Sequence, residues 1–300
     1  MISIDPDIDA LIARFGIQKL QKMDRLALRT NLPKDDTGDR LYALVLFARV
    51  HGRLPRDETL FNDYVFKIKA TAEGRRPERC FVTDKHLAKI YIKAIAGEEY
   101  VVPTLGLITS PDAVGHHEFP DACCIKPTHM SGQVILRTGG SAIDRSRIRK
   151  WFQTNYYDST REAQYKYIAP RVIVEPLVFG VTNPLDFKFH CYKGQPKVIQ
   201  IDIDRYTEHR RLIVGLDWVD QGMSMTYPKF EGTVPRPGNL SQMTAVAAKL
   251  SANFDYVRID LYSNGVDCLV GEITNTPENA IGKFTSLEAE RRFSQLLFGS

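Results

Sequence analysis

A chain of 300 residues is long enough for about two domains at roughly 150 residues each. With 43% hydrophobic, 10% aromatic and 25% charged residues and a net charge of +4, its composition is that of an ordinary globular protein, which excludes a mainly disordered chain. The densest apolar stretch, residues 41–48, is far shorter than the about 20 residues a membrane-spanning helix needs. The opening MISIDPDIDALIARF carries three aspartates and no apolar core, so no secretory signal is expected. The mild positive balance suits an anionic small molecule or an acidic polysaccharide and falls short of the basic excess of a dedicated nucleic-acid binder. Cys80, Cys123, Cys124, Cys191 and Cys268 are odd in number and contain no C-x-x-C pair, which argues against a disulfide framework and a zinc site. That usage predicts a reducing, cytoplasmic location.

Residues 1–80 read mostly as helix: Ile8, Leu11, Ile12, Phe15 and Leu20 roughly follow a 3.6 period, and residues 41–50 form another apolar segment before the turn-like HGRLP. Thr83 or Asp84 is placed to cap a helix running to residue 94. Residues 100–175 alternate short strands and loops, with strands expected over 101–107, 122–126, 133–137 and 171–174 and a basic helix starting at RSRIRKWF. From residue 185 the β signal strengthens. Residues 187–191 and 198–204 alternate apolar with polar side chains, the period of a half-buried strand. An amphipathic helix is expected over 240–254, then strands over 256–262 and 268–274 joined by a Ser-Asn-Gly turn, and a short terminal helix.

Alternation sorts the side chains of these strands into faces. Asp186, Lys188 and His190 point one way; Gln200, Asp202 and Asp204 share a face; Arg258 pairs with Asp260; and Glu272 and Thr274 share a face with Val270. If the strands are neighbours in one antiparallel sheet, one surface gathers carboxylates beside a lysine and an arginine. Such a surface suits magnesium and phosphate chemistry, since Mg2+ takes hard oxygen ligands and cations stabilise phosphoryl charge. A solvated sheet face has the same alternation. The segment CIKPTHMSGQV places Lys126 at a strand end before a loop of small and hydroxyl residues able to fold over polyphosphate. Neither a Walker loop nor a G-x-G-x-x-G fingerprint is present.

Taken in order and spacing, the segments TLFNDYVFKIK, VTDKHLAKIYIKAIAGEEYVVPTLG, CIKPTHMSGQVIL, RVIVEPL, DFKFHCYKGQPKVIQIDIDRYTEHRR, VRIDLY and GEITNTPENAIGKF resemble the ATP-grasp superfamily. Within it they are similar to the teichuronopeptide-biosynthesis (TupA-like) branch, over about residues 60–283. The resemblance implies an α/β (α+β) ATP-grasp fold: two α/β lobes, residues 83–177 and 178–300, holding ATP between two β-sheets behind a helical segment of residues 1–82. By the same resemblance Lys85 and Lys126 contact ATP phosphates, Ser131 and Gly132 belong to the closing loop, and Glu175, Pro176 and Leu177 form the hinge beside adenine. Asp186 holds the ribose, Arg258 steadies the transferring phosphoryl group with Lys188 adding charge, and Asp260 and Glu272 bind Mg2+. Many members read E-x-N-x-x-P at the second metal position. Here Thr274 stands in the Asn place, a weaker hydroxyl ligand, which leaves the number of tightly held Mg2+ ions open. Arg205, His209 and Arg211, in a segment peculiar to the branch, are matched to an anionic carboxylate or acyl phosphate, with His209 orienting the nucleophile or taking a proton.

The expected activity is an ATP- and Mg2+-dependent carboxylate–amine ligase working through an acyl phosphate. Its expected partners are a small or sugar-linked carboxylate, such as a uronic acid of a surface polysaccharide, and an amine or amino acid. Two other readings stay open: an ATP-grasp kinase acting on a sugar hydroxyl, and a nucleotide-binding partner protein without catalysis.

Overall fold

The computed structural model describes residues 5–55, 59–205 and 207–299; Tyr206, inside the 204–211 segment, and residues 1–4 of the N-terminal segment lie outside the described residues. Helix α1 (Pro6–Lys22) starts where Asp5 accepts a hydrogen bond from the Asp7 amide and Pro6 presets the first turn. It breaks at Gly16, whose φ of 65° only glycine adopts freely, so that Ile8 and Leu20 both reach the interior. Helices α2 (Arg25–Asn31) and α3 (Asp36–His51) are capped by Asp24 and Asp35, and α3 is buried along its whole apolar run, as the central helix of its layer. Helices α4 (Phe61–Ala70), α5 (Pro77–Thr83) and α6 (Lys85–Ile95) follow, and Asp84 is the residue that caps α6.

Among the described residues the strands form two antiparallel sheets. The first contains β1 (Gly106–Ile108), β2 (Cys123–Pro127), β3 (Ile135–Arg137) and β4 (Val172–Glu175) in the order β1-β4-β2-β3. Its core side packs on α7 (Ala113–His116) and α8 (Arg145–Phe152) through Val114, Ile148 and Trp151, with α9 (Tyr157–Thr160) beyond. The second contains β5 (Asp186–Tyr192), β6 (Gln195–Ile203), β7 (Arg210–Gly215), β8 (Tyr256–Ser263) and β9 (Cys268–Thr274) in the order β7-β6-β5-β8-β9. Its apolar face, including Phe187, Phe189, Ile199, Ile201, Val257 and Ile259, packs on α10 (Leu240–Ser251). Each such side chain contributes about 1.5–3 kcal/mol by leaving water. The other face is divided. At one end Val198, Ile213 and Tyr256 join a core made by α1, α3, α4 and the last helix, α11 (Leu287–Phe298); at the other end it stays polar.

Three expectations change, and one strand appears where none was expected. The stretch 101–107 pairs only from Gly106: Pro103 has no amide proton to give, and Val101 makes a lone bridge to Val270. Residues 210–215, for which no strand was expected, form edge strand β7. Asp204 does not share the sheet face, because β6 ends at Ile203 and Asp204 turns away with φ 52°. Val270 does not share a face with Glu272. Leu261 pairs with Val270 and Asp260 with Glu272, so Gly271 is the extra residue of a bulge that turns Val270 into the core. No helix among the described residues is long and apolar enough to cross a membrane.

Candidate active site

The register of the second sheet lines up its polar residues in rows. Arg211, Asp202, Asp186 and Tyr262 cross β7, β6, β5 and β8 side by side, and Gln200, Lys188, Asp260 and Glu272 form the next row. His190, Arg258 and Thr274 make a third. Lys188 is the hub. Its Nζ lies 2.8 Å from Asp260 Oδ2 and 3.8 Å from Asp202 and contacts Asp186. Arg258 grips Asp260 with Nε at 2.7 Å and a second nitrogen at 2.8 Å, and reaches Thr274 Oγ1 at 3.2 Å.

These carboxylates are buried, and burial alone would raise all of them. Arg258 and Lys188 overcome it at Asp260, which stays below the usual carboxylate range. At Asp186 burial wins over Lys188 and Arg205, and the group is raised. Two carboxyls sharing one lysine are thus pushed apart. Burial at Asp202 is outweighed by the adjacent His209 ring, Lys188 and Arg211, leaving it well below its ordinary value. His190, under Phe61 and Phe293 and against the Tyr256 hydroxyl at 2.9 Å, is lowered to about 3 by burial and the Arg258 charge. It is a neutral core residue and no part of the charged surface.

A second cation group lies on the first sheet. Lys126 of β2 and Lys89 of α6 each approach the buried carboxylate of Glu175 on β4 at 2.7 Å. Burial opposes ionisation there too, yet the two lysines hold Glu175 below its ordinary value, and Glu175 in turn holds Lys126 above its own. Lys85, the first residue of α6, lies 3.2 Å from Glu272 and donates to the Met130 carbonyl at 2.7 Å. Lys85, Lys126, Glu175 and Glu272 therefore line one crevice between the two sheets.

Beside it opens a cavity of about 480 Å³. Lys188, Arg258, Glu272 and Thr274 form its sheet side, Ser131 and Gly132 contribute from the loop after β2, and Arg205, His209 and Arg211 close the β7 side. Asp202 organises this last group. It accepts from Arg211 Nε at 2.7 Å and lies 3.5 Å from His209 Nε2, while the His209 ring stacks on Tyr227 at 3.6 Å. Arg211 is buried and also donates to the Met225 carbonyl and to Glu278 at 3.1 Å. Arg205 reaches Asp186 at 2.6 Å. Asp260 and Glu272 face each other in register with the Thr274 hydroxyl alongside, a hard-oxygen donor set that fits Mg2+ sharing phosphate oxygens. Among the described residues no three His, Cys, Asp or Glu side chains gather as a closed metal site.

The TupA-like ATPgrasp family model matches residues 66–297. The chain belongs to the TupA-like ATP-grasp family. No curated protein matches it. Among solved structures, the ATP-grasp ligase PsnB complexed with minimal precursor, Mg and ADP is 12% identical over 72% of this chain and 58% of its own, with a TM-score of 0.36. The D-alanine–D-alanine ligase from Bacillus anthracis complexed with ATP is 12% identical over 72% of this chain and 66% of its own, at 0.34. The L-amino acid ligase from Bacillus licheniformis is 12% identical over 74% and 51%, at 0.40. The chain spans little more than half the length of the first of these, and at such scores none of them carries a residue role into this TupA-like chain.

The sequence-chosen residues of this ATP-grasp chain fall into places of different kinds. Lys188, Arg205, His209, Arg211, Ser131, Gly132 and Arg258 share the cavity, while Lys85, Lys126 and Glu175 share the crevice, and Glu272 touches both. Asp186 and Asp260 lie buried beneath the cations. Pro176 and Leu177 sit half-buried in the connection from β4 to β5, before the turn at Val178–Gly180. Asn275 faces away from Thr274, bonded to the Arg79 carbonyl at 3.0 Å and to Thr83 Oγ1 at 2.9 Å. Sequence reasoning missed Lys89, although it lies one helical turn after Lys85 on α6. It also missed Tyr227, Glu162, Gln164 and Asn279, which line the cavity from segments without periodic pattern.

Proposed function

We propose that the chain is an ATP- and Mg2+-dependent carboxylate–amine ligase that activates its acid as an acyl phosphate. One observation carries this: Asp260 stands in register opposite Glu272, and Lys85, Lys188 and Arg258 surround the pair within hydrogen-bonding reach. Membership of the TupA-like ATP-grasp family supports it.

In this reading Asp260, Glu272 and Thr274 hold Mg2+, which when bound neutralises phosphate charge and fixes the oxygens for in-line transfer. Arg258, which borders the cavity beside Asp260, would lend its charge to the transferring phosphoryl group. Lys85 and Lys126 hold the phosphates, Glu175 keeps Lys126 charged and in place, and Glu175, Pro176 and Leu177 border the adenine. Asp186 keeps Oδ1 without a hydrogen-bond partner, an acceptor for a ribose hydroxyl. Ser131 and Gly132, the latter at φ 73°, belong to the loop that shuts water from the acyl phosphate. Arg205 and His209 receive the substrate carboxylate, and Arg211 positions His209 through Asp202.

The acid is assigned to the uronic-acid class of a surface polysaccharide, in keeping with the TupA-like family and the net charge of +4. The five free thiols support a reducing, cytoplasmic setting. Residues 1–82, 83–177 and 178–300 are taken as helical lead, nucleotide lobe and catalytic lobe. The test is release of ADP and phosphate that requires acid and amine together. Release of ADP without phosphate points instead to a kinase, and ATP binding without turnover to a non-catalytic partner.

A further inference from the structure

The cavity has a corner that the phosphate chemistry leaves unused. Glu162 and Gln164 enter it from the segment between α9 and β4, and Thr276 and Asn279 from the turn after β9. Gln164 is 3% exposed, and its amide nitrogen donates to Thr276 Oγ1 at 2.8 Å and to Glu162 Oε1 at 3.3 Å. The Thr276 hydroxyl gives its own proton to Glu162 and so accepts from the Gln164 amide, which leaves Gln164 Oε1 as a buried acceptor with no partner. Asn279 Oδ1 is another buried acceptor with none. The Asn279 backbone N–H donates to the Thr276 carbonyl at 3.0 Å, which fixes the backbone of this turn beside the corner.

Asn279 is held there by strain: Glu278, Asn279 and Ala280 all have φ between 51° and 60°. Three successive non-glycine residues keep such a conformation only where the surroundings dictate it. The wall is aromatic, Tyr156 meeting Tyr165 edge-on at 4.7 Å. Burial raises the Glu162 carboxyl above its ordinary value, and the charge of the buried Lys69 and the hydrogen bond from Thr276 oppose that rise. Bare acceptors, one carboxylate and two tyrosine rings make an environment for a group that brings several N–H donors and a positive charge.

We propose that the corner formed by Glu162, Gln164 and Asn279 receives the ammonium group of a primary-amine co-substrate. This rests on the ligase reading for its purpose and extends it by placing the amine in the same cavity as Arg205 and His209, which take the acid; the bound ammonium passes one proton to the Glu162 carboxylate before its nitrogen attacks the acyl phosphate and phosphate leaves.

Saturation-transfer NMR with methylammonium chloride at constant ionic strength tests it. Wild type should bind saturably, and Glu162→Gln should weaken binding at least about tenfold, the worth of a hydrogen bond to a charged group. Asn279→Asp, which tolerates the left-handed backbone, should tighten it, so the pair remains decisive should one variant fold poorly. Tetramethylammonium, which has no N–H, should not compete. Equal binding in wild type and both variants, or full competition by tetramethylammonium or potassium, overturns the assignment. Hydroxylamine capture of an acyl phosphate from glucuronate, ATP and Mg2+ by the wild type tests the ligase reading separately. Failure of that capture counts against acyl-phosphate formation alone, and methylammonium binding still decides whether the pocket takes an ammonium group.

Discussion

Glu175→Gln isolates the ion triad that links the first sheet to α6. The carboxylate is 3% exposed and meets Lys89 and Lys126 at 2.7 Å, and those lysine side chains are only 13% and 14% exposed. Removing one partner of a buried ion pair costs about 3–5 kcal/mol, because the remaining charge is stranded. Water reaches the lysine ends and the glutamine carbonyl accepts one bond, so the lower end, about 3 kcal/mol, is expected. In urea this lowers the unfolding midpoint by roughly 1 M or more. The pH dependence has a definite sign. Glu175 lies below its ordinary 4.5 in the fold, so its contribution is full above that pH and is lost as pH falls through the folded value. The gap between wild type and variant should therefore close in acid. Saturating ATP should narrow it at neutral pH, since phosphate supplies Lys126 with a new counter-charge. A loss below about 1 kcal/mol at pH 7 would show that the lysines do not depend on Glu175 and refute the triad.

Three further outcomes follow from the same geometry. His190 is neutral in the fold down to about pH 3 but takes a proton near 6.5 when unfolded, so it removes about 1.4 kcal/mol of stability per pH unit as pH falls from about 6 to 4. Urea curves of His190→Gln should lack that part of the slope; parallel pH profiles contradict its burial as a neutral ring. Asp260→Ala and Glu272→Ala should each abolish Mg2+-dependent ATP turnover while circular dichroism shows a folded chain, and undiminished turnover in either removes that residue from the metal set. Arg205→Ala should raise the KM for the acid at least about tenfold, the loss of a charge-assisted bond, with ATP affinity little changed. A selective loss of ATP binding would move Arg205 to the nucleotide.

The charged surface was legible in the sequence because β5, β6 and β8 alternate regularly over its residues, clear of the β5–β6 register shift after His190, so side-chain parity alone put Asp186, Lys188, Asp202, Arg258 and Asp260 on one face. Parity fails at a bulge, and Gly271 reversed the side on which Val270 lies while leaving Glu272 and Thr274 correctly placed. Strand β7 was hidden because its first two residues are arginines that continue a charged loop, and Arg211 is buried through its bonds to Asp202, Glu278 and the Met225 carbonyl. His190 fitted the polar alternation, yet the helices laid over that end of the sheet make it core, a tertiary fact that strand patterning does not contain. The Glu162–Gln164–Asn279 corner lies in turns and short helical pieces with no period to read. Only packing brings those residues to the cavity, from more than a hundred positions apart in the case of Gln164 and Thr276.

The most direct test of the account is phosphate release by the purified wild-type chain with ATP and Mg2+, screened over uronic-acid sugars against the common amino acids. The account predicts phosphate release only in wells that contain both an acid and an amine, and none in the same wells with Asp260→Ala. Release that needs no amine, or turnover that survives the loss of Asp260, would contradict it.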